Sequence, residues 1–107
     1  MNNNYNLSCI YNKDTKGPSV TIKIEGELNG TTVEFFEQEV KHIFLKQPQD
    51  IFLDLTEVTI IVSSAIGSLL LLQDYVTQKK YKFEISAVND KVRNILVMMG
   101  LDYLMVL

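Results

Sequence analysis

The chain has 107 residues, 47% of them hydrophobic, and its ten basic and thirteen acidic residues give a net charge of −3. This length suits one domain with its own hydrophobic core and is too short for two. The acidic balance and the scattered lysines argue against the basic patch that a nucleic-acid-binding protein needs, so we expect no nucleic-acid partner.

The residue types that most often carry chemistry are scarce. The chain contains one cysteine, Cys9, and one histidine, His42. A single cysteine cannot form an internal disulfide, so no oxidising compartment is required and we expect a cytoplasmic protein. One cysteine and one histidine form neither a zinc site nor a marked catalytic dyad. His42 falls in a charged helical stretch, which favours a plain surface or half-buried histidine. We therefore expect no metal, no cofactor and no enzymatic activity.

The most apolar run, residues 69–72, is far shorter than the ~20 residues that a membrane-spanning helix needs. No direct membrane insertion is expected.

Apolar residues at every second position predict two strands near the N-terminus. The first strand is marked by Leu7, Cys9 and Tyr11, and the second by Val20, Ile22 and Ile24. Between them, residues 12–18 include Asp14, Gly17 and Pro18, which are typical turn residues. The two strands should form an antiparallel hairpin.

The next segments predict a helix and then a strand. Apolar residues from Val33 to Phe44 follow helical spacing, with Thr31 or Thr32 as the cap and Pro48 beyond the end. The apolar run at residues 51–55 is typical of a central strand that is buried on both faces, and a turn is predicted at residues 56–59.

The C-terminal half predicts two more helices with a strand between them. The second helix should span residues 64–78, with Ser63 and Ser64 at its cap position. A strand at residues 83–87 follows, and Asn89 or Asp90 should cap the third helix. Gly100 is placed to end that helix in a left-handed conformation, before a short strand or packed tail at residues 104–107.

The order of these elements defines the fold class. A strand, a helix and a strand within residues 51–88 form a crossover unit, which should be right-handed and should pair its strands in parallel. We therefore predict a single α/β domain with a core of about residues 7–107. It should contain a mixed sheet of four to five strands, an N-terminal hairpin and three main helices.

Four short segments in order make the chain recognisable: residues 26–29 (GELN), 53–59 (LDLTEVT), 63–67 (SSAIG) and 100–102 (GLD). Together they resemble the STAS domain family, in its anti-sigma factor antagonist type. The resemblance implies a regulatory protein that binds an anti-sigma factor which is also a serine kinase. Phosphorylation would break that complex, and a PP2C-type phosphatase would reset it.

The third segment carries the site that the resemblance implies. In the family it usually reads Asp-Ser-Ser-Gly, and the second serine, which is the phosphate acceptor, corresponds to Ser64; Ser63 is the second choice. A structural alternative is that the Ser64 hydroxyl only caps the second helix. Here Val62 replaces the usual aspartate, Ala65 the usual glycine, and Asn29 the aspartate that more often ends the first segment. The missing acidic residues favour a second function, a phosphorylation-independent STAS adaptor in a transport or scaffold complex.

Several other residues have a predicted role. Asp54 should make a local hydrogen bond at the following turn, and Gly67 should let the second helix approach a strand closely. The core stripe of that helix is expected to contain Ile66, Leu69, Leu70 and Val76. Leu71, Leu72 and Tyr75 are then surplus, and either the third helix or the tail covers them or they form a partner-binding patch. The predicted partner-binding residues are Asn29, Val62, Ser63, Ser64, Ala65, Leu71, Leu72 and Tyr75.

Overall fold

The four strands of the protein form one mixed sheet in the order β1-β2-β3-β4 in a computed structural model that describes residues 4–106. The elements in chain order are β1 (Tyr5–Asp14), β2 (Gly17–Leu28), α1 (Val33–Lys46), β3 (Asp50–Ile61), α2 (Ser63–Thr77), β4 (Phe83–Val88), α3 (Asp90–Met98) and a short 3₁₀ helix (Asp102–Leu104). β1 is antiparallel to β2, whereas β2, β3 and β4 are parallel. The predicted α/β class, the hairpin and the parallel crossover unit are confirmed.

One face of the sheet carries the hydrophobic core. Both crossovers advance in the same direction across the sheet, and right-handed crossovers of this kind place their helices on the same face. α1 and α2 lie side by side, and the Ser68 hydroxyl donates a hydrogen bond of 2.7 Å to the Glu37 carboxylate between them. The fully buried strand residues beneath these helices are Val20, Ile22, Ile24, Leu28, Ile51, Leu53 and Leu55.

Within residues 4–106, no helix covers the opposite face of the sheet, which corrects one prediction. β3 is central, as expected, but it is not buried on both faces: Ile51 and Leu53 are fully buried, while Phe52 and Asp54 are only partly buried. Because both crossover helices lie on one side, the alternate residues of β3 face an open, largely polar surface.

β3 is also longer than predicted, and the turn expected at residues 56–59 is wrong. The strand continues to Ile61, and its register against β2 and β4 shifts near Asp54. The local hydrogen bond predicted for Asp54 is present, since its Oδ1 accepts from the backbone N–H and the hydroxyl of Thr56 at 3.0 and 2.7 Å. The amide of Asn89 donates to carbonyls at the shift, including that of Val58 at 2.7 Å. Polar residues that predict a turn here stabilise a strand irregularity instead.

The third helix begins and ends as predicted. The Asn89 side chain caps it by accepting from the N–H of Val92 at 2.9 Å. Gly100 has a positive φ of 73°, and the N–H of Leu101 donates back to the carbonyl of Leu96 at 2.8 Å, which closes the helix. Beyond it, Met105 forms a single parallel bridge with Ile85. The tail therefore packs on the β4 edge, while Leu107 lies outside the described residues.

Candidate partner-binding site

The start of α2 places both serines at the surface. The helix begins at Ser63, one residue earlier than predicted, and Val62 occupies the cap position without a side-chain hydrogen bond. The interpretation that the Ser64 hydroxyl caps the helix is therefore wrong. Ser63 and Ser64 are the first and second helical residues and both are exposed, so the expected exposure of Ser64 at the helix start is confirmed.

The orientation of the two serines is fixed by their neighbours. The Val62 N–H donates to the carbonyl of Leu28 at 3.0 Å, which ties the start of α2 to the end of β2. The Val62 carbonyl accepts from the N–H groups of Ala65 and Ile66 at 2.9 and 3.1 Å, and both of these side chains are buried. With the next two residues held in the core, the preceding two must point outward. Ala65, one of the predicted partner-binding residues, has no exposed surface to offer.

The loop after β2 lies beside this helix start, because Leu28 pairs with Ile61 at the end of β3. Asn29 orders the loop: its Oδ1 accepts from the N–H groups of Thr31 and Thr32 at 2.9 and 3.0 Å. Thr32 is in the cap position of α1, but its hydroxyl donates to the Glu27 carbonyl at 2.6 Å and makes no cap bond. The loop therefore presents a defined shape next to Ser63.

The asparagine at position 29 fits its surroundings better than an aspartate would. Its Nδ2 donates to Glu27 Oε1 at 2.9 Å, and the other Glu27 oxygen accepts from Asn4 at 3.2 Å. An aspartate could accept the same two backbone N–H groups, but it would lose the donor to Glu27 and place two carboxylates in contact. The loop therefore keeps one carboxylate, that of Glu27, beside the amide of Asn29.

The outer side of α2 continues from the serines toward the middle of the helix. Gly67 and Leu71 follow Ser63 and Ser64 at spacings of three and four residues, so these residues share one face. Gly67 is exposed, and a Cβ built on it meets no atom within 4 Å. The predicted close approach of Gly67 to a strand is therefore wrong. Its spacing from the serines was a signal that it belongs to the exposed face.

The surplus apolar surface on α2 is smaller than predicted. Leu72 is fully buried and belongs to the core, whereas Leu71 is 60% exposed and Leu70, predicted as core, is only partly buried. The Tyr75 ring is partly covered by α1, with its centroid 6.0 Å from that of Phe44. Neither the third helix nor the tail is the main cover. Of the predicted flank, Leu71 provides the exposed apolar side chain.

Other kinds of site are not formed in the described part of the chain. Residues 4–106 contain no group of three His, Cys, Asp or Glu side chains that could hold a metal ion. His42 is an exposed residue of α1. None of the described helices combines the length and apolar character needed to span a bilayer.

Comparison with known proteins identifies the family. The model of the STAS domain matches residues 11–107, which is most of the chain. The chain belongs to the STAS domain family. STAS domains of this kind are regulatory and non-catalytic. No curated protein sequence matches the chain.

Solved structures share the fold of this STAS domain at low sequence identity. The anti-sigma factor antagonist SpoIIAA in its unphosphorylated form is 17% identical, with a TM-score of 0.76 over 95% of this chain and 85% of that chain. An anti-sigma factor antagonist from Mycobacterium paratuberculosis is 18% identical, with a TM-score of 0.74 over 94% and 83%. The phosphorylated form of SpoIIAA, a Bacillus cell fate determinant, is 18% identical, with a TM-score of 0.70 over 95% and 88%.

Proposed function

We propose that this STAS domain is an anti-sigma factor antagonist that binds an anti-sigma factor with serine kinase activity in the cytoplasm. The contact surface comprises the outer face of α2 from Ser63 to Leu71 and the neighbouring loop at Asn29. Ser64 is the phosphate acceptor, and a PP2C-type phosphatase restores the unmodified form. The observation that carries the proposal is the exposed Ser64 hydroxyl in a first helical turn that no side chain caps.

The chemistry of this turn suits a phosphate. The Ser64 Oγ would attack the γ-phosphorus of ATP, and the bond between that phosphorus and ADP would break. ADP leaves, and the serine hydroxyl loses its proton. The product carries roughly −1.5 to −2 charges at the positive end of a helix dipole, where free backbone N–H groups stabilise an anion. The first turn of α2 contains no acidic residue to repel it. The domain is therefore expected to remain folded when phosphorylated.

The same charge explains how the complex would break. A partner that covers Gly67 and Leu71 also covers Ser64, because the three residues lie on one helix face. A new charge at Ser64 must then lose its water when the complex forms. An uncompensated buried charge costs several kcal/mol, which lowers affinity by orders of magnitude.

A second candidate is a STAS adaptor that binds its partner without phosphorylation. The observation that favours it is Val62, an apolar and partly buried residue directly before the serines. It leaves no carboxylate at the position where the resembled family has one. The adaptor would use the same face of α2, and the two candidates differ only in whether Ser64 is modified.

Incubation with the anti-sigma factor kinase of the same organism and ATP, followed by intact-mass measurement, tests the proposal. The expected result is one added phosphate, which Ser64→Ala abolishes and which the matched control Ser63→Ala retains. Phosphate that is lost only in Ser63→Ala would move the acceptor to Ser63. An unmodified wild-type protein that still binds the kinase would overturn the switch and favour the adaptor.

A further inference from the structure

The two edges of the sheet differ in how they are protected. The outer edge of β4 is short, and the C-terminal tail partly covers it, since the Val106 N–H donates to the Ile85 carbonyl at 2.9 Å. The other edge of the sheet is formed by β1, a strand of ten residues. Within residues 4–106, no segment pairs with that edge. An uncovered edge strand is a template for pairing with another chain.

The direction of the free backbone groups on β1 follows from its register. The Glu27 N–H donates to the Asn4 carbonyl, and hydrogen-bonded pairs alternate along an antiparallel ladder. Even-numbered residues of β1 therefore bond to β2. Odd-numbered residues direct their N–H and C=O groups away from the sheet: Tyr5, Leu7, Cys9, Tyr11 and Lys13.

The usual protections of an edge strand are missing from the middle of β1. The pairing with β2 is continuous from Tyr5 to Asp14, without a bulge. Between Tyr5 and Asn12 the strand contains no proline and no charged residue. Natural edge strands commonly carry such devices to prevent association.

The charges around β1 favour an antiparallel copy of the same strand. Its N-terminal end lies among carboxylates, since the Tyr5 hydroxyl donates to Glu39 at 2.6 Å and the Asn6 amide to Glu25 at 3.1 Å. Its C-terminal end carries Lys13 and Lys16, and Asp14 there accepts from the Lys16 backbone N–H. Antiparallel pairing sets the basic end of each copy against the acidic end of the other. Parallel pairing would place like charges together.

A groove beside β1 adds surface for side chains of an incoming strand. It has a volume of about 450 Å³ and is lined on α1 by Gln38, Glu39, His42 and Ile43. Because Glu39 also contacts Tyr5, the groove adjoins the helix-side face of β1. Side chains on that face of a second strand, at the positions opposite Tyr5 and Leu7, would lie next to it.

We propose that two copies of this chain associate through their β1 strands and form one continuous eight-stranded sheet. The two-fold axis passes at Cys9, so that Leu7 faces Tyr11 of the second copy and Tyr5 faces its Lys13. This register uses all five outward-directed residues of β1. The dimer would present the α2 face of both copies. The reason is that β2 lies between the paired β1 strand and β3, the strand that precedes α2.

Amide hydrogen exchange and sedimentation equilibrium test the dimer over about 10 µM to 1 mM, the range expected for a small interface. A reductant is present so that Cys9 cannot cross-link. Exchange at Leu7, Cys9 and Tyr11 should slow as concentration rises, while Ser8 and Ile10 stay protected throughout. A monomer at every concentration, with rapid exchange at the odd-numbered positions, would overturn the proposal.

Two variants of Cys9 sharpen the test. Cys9→Pro removes the central outward N–H without breaking a bond to β2, which proline at an edge strand permits. Cys9→Val keeps that N–H and is the matched control. Dimer affinity should fall by at least about tenfold for Cys9→Pro and stay near wild type for Cys9→Val. Equal dimerisation of both folded variants would contradict pairing at this edge. If Cys9→Pro fails to fold, the exchange pattern of the wild-type protein decides.

Discussion

Two of the three glycines in the recognisable segments, Gly26 and Gly67, lie in opposite surroundings. Gly26, near the end of β2, has a positive φ of 98°, and a Cβ there would collide with the backbone of Asn4. Gly67, in the second turn of α2, has an exposed position with open space around it. The first glycine is required by the fold, whereas the second leaves a flat surface on a helix that alanine would stabilise. Segments that identify a family therefore combine residues that the fold requires with residues that it leaves exposed.

Gly26→Ala should change the stability of the protein more than any other substitution considered below. A small effect would contradict the comparison of the two glycines. The free energy of unfolding should fall by about 3 kcal/mol, because the left-handed backbone is strained for alanine and β1 must shift to admit a methyl group. Urea denaturation followed by circular dichroism measures the loss. Gly30→Ala, where a Cβ meets nothing within 4 Å, is the control and should stay within about 0.5 kcal/mol of wild type. Equal stability of the two variants would show that β1 does not hold Gly26 tightly.

Asn29→Asp tests whether the loop beside α2 belongs with the folding residues. The substitution removes the donor to Glu27 and sets two carboxylates together, so stability at pH 7 should fall by about 1 kcal/mol. Glu27→Gln in the same chain should restore most of the loss, because the new amide can donate to the aspartate. Denaturation curves of the single and double variants measure this coupling. An Asn29→Asp variant as stable as wild type would contradict the role given to the Asn29–Glu27 contact.

Gly67→Ala should act in the opposite direction from Gly26→Ala. Alanine loses less chain entropy in a helix and meets no neighbour, so the free energy of unfolding should rise by about 0.5 to 1 kcal/mol. If a partner packs on this face, the same methyl group should weaken binding. Thermal denaturation and a binding titration of one purified variant separate the two effects. A variant that is less stable than wild type would show that Gly67 is needed by the fold.

Tyr5→Phe should have the smallest effect, at the β1 residue that pairs with Gly26. Burial, and then the hydrogen bond to Glu39, raise the pKa of the Tyr5 hydroxyl above its usual value near 10. Below pH 10 both the folded and unfolded chains keep the proton, so the contribution of the contact, about 0.5 kcal/mol, is fully present. As pH rises above 10 the unfolded chain ionises first, and that contribution is lost.

The stability gap between wild type and Tyr5→Phe should therefore stay constant from about pH 8 to pH 9 and narrow as pH rises from about 10 to 11. Urea midpoints measured at intervals across this range follow the change. A gap that widens with pH would reverse the sign of the pKa shift and contradict the Tyr5–Glu39 contact.

Much of the fold could be predicted from local patterns. Alternation marked β1 and β2, helical spacing marked α1, and Asn89 and Gly100 marked the two ends of α3. The open face of β3 could not be predicted from its apolar run. It depends on both crossover helices lying on one side of the sheet, a property of the topology and not of residues 51–55.

The candidate site was predicted less completely for the same reason. The exposure of Ser64 followed from its place before an apolar helical run. Which of Leu70 and Leu72 enters the core depends on the rotation of α2 against α1 and the sheet, which a continuous leucine run leaves open. The contact between the Asn29 amide and Glu27 likewise could not be predicted, because it depends on the loop conformation. In another loop conformation the Asn29 side chain could have pointed to solvent.

The affinity of Ser64→Asp for the anti-sigma factor kinase tests the central claim most directly. Isothermal titration of wild type, Ser64→Asp and the control Ser8→Asp, which places the same charge on the open sheet face, gives three dissociation constants. The start of α2 is the switch if Ser64→Asp weakens binding by about 100-fold or more while Ser8→Asp stays within about twofold of wild type. A folded Ser64→Asp variant that binds as tightly as wild type would contradict the account.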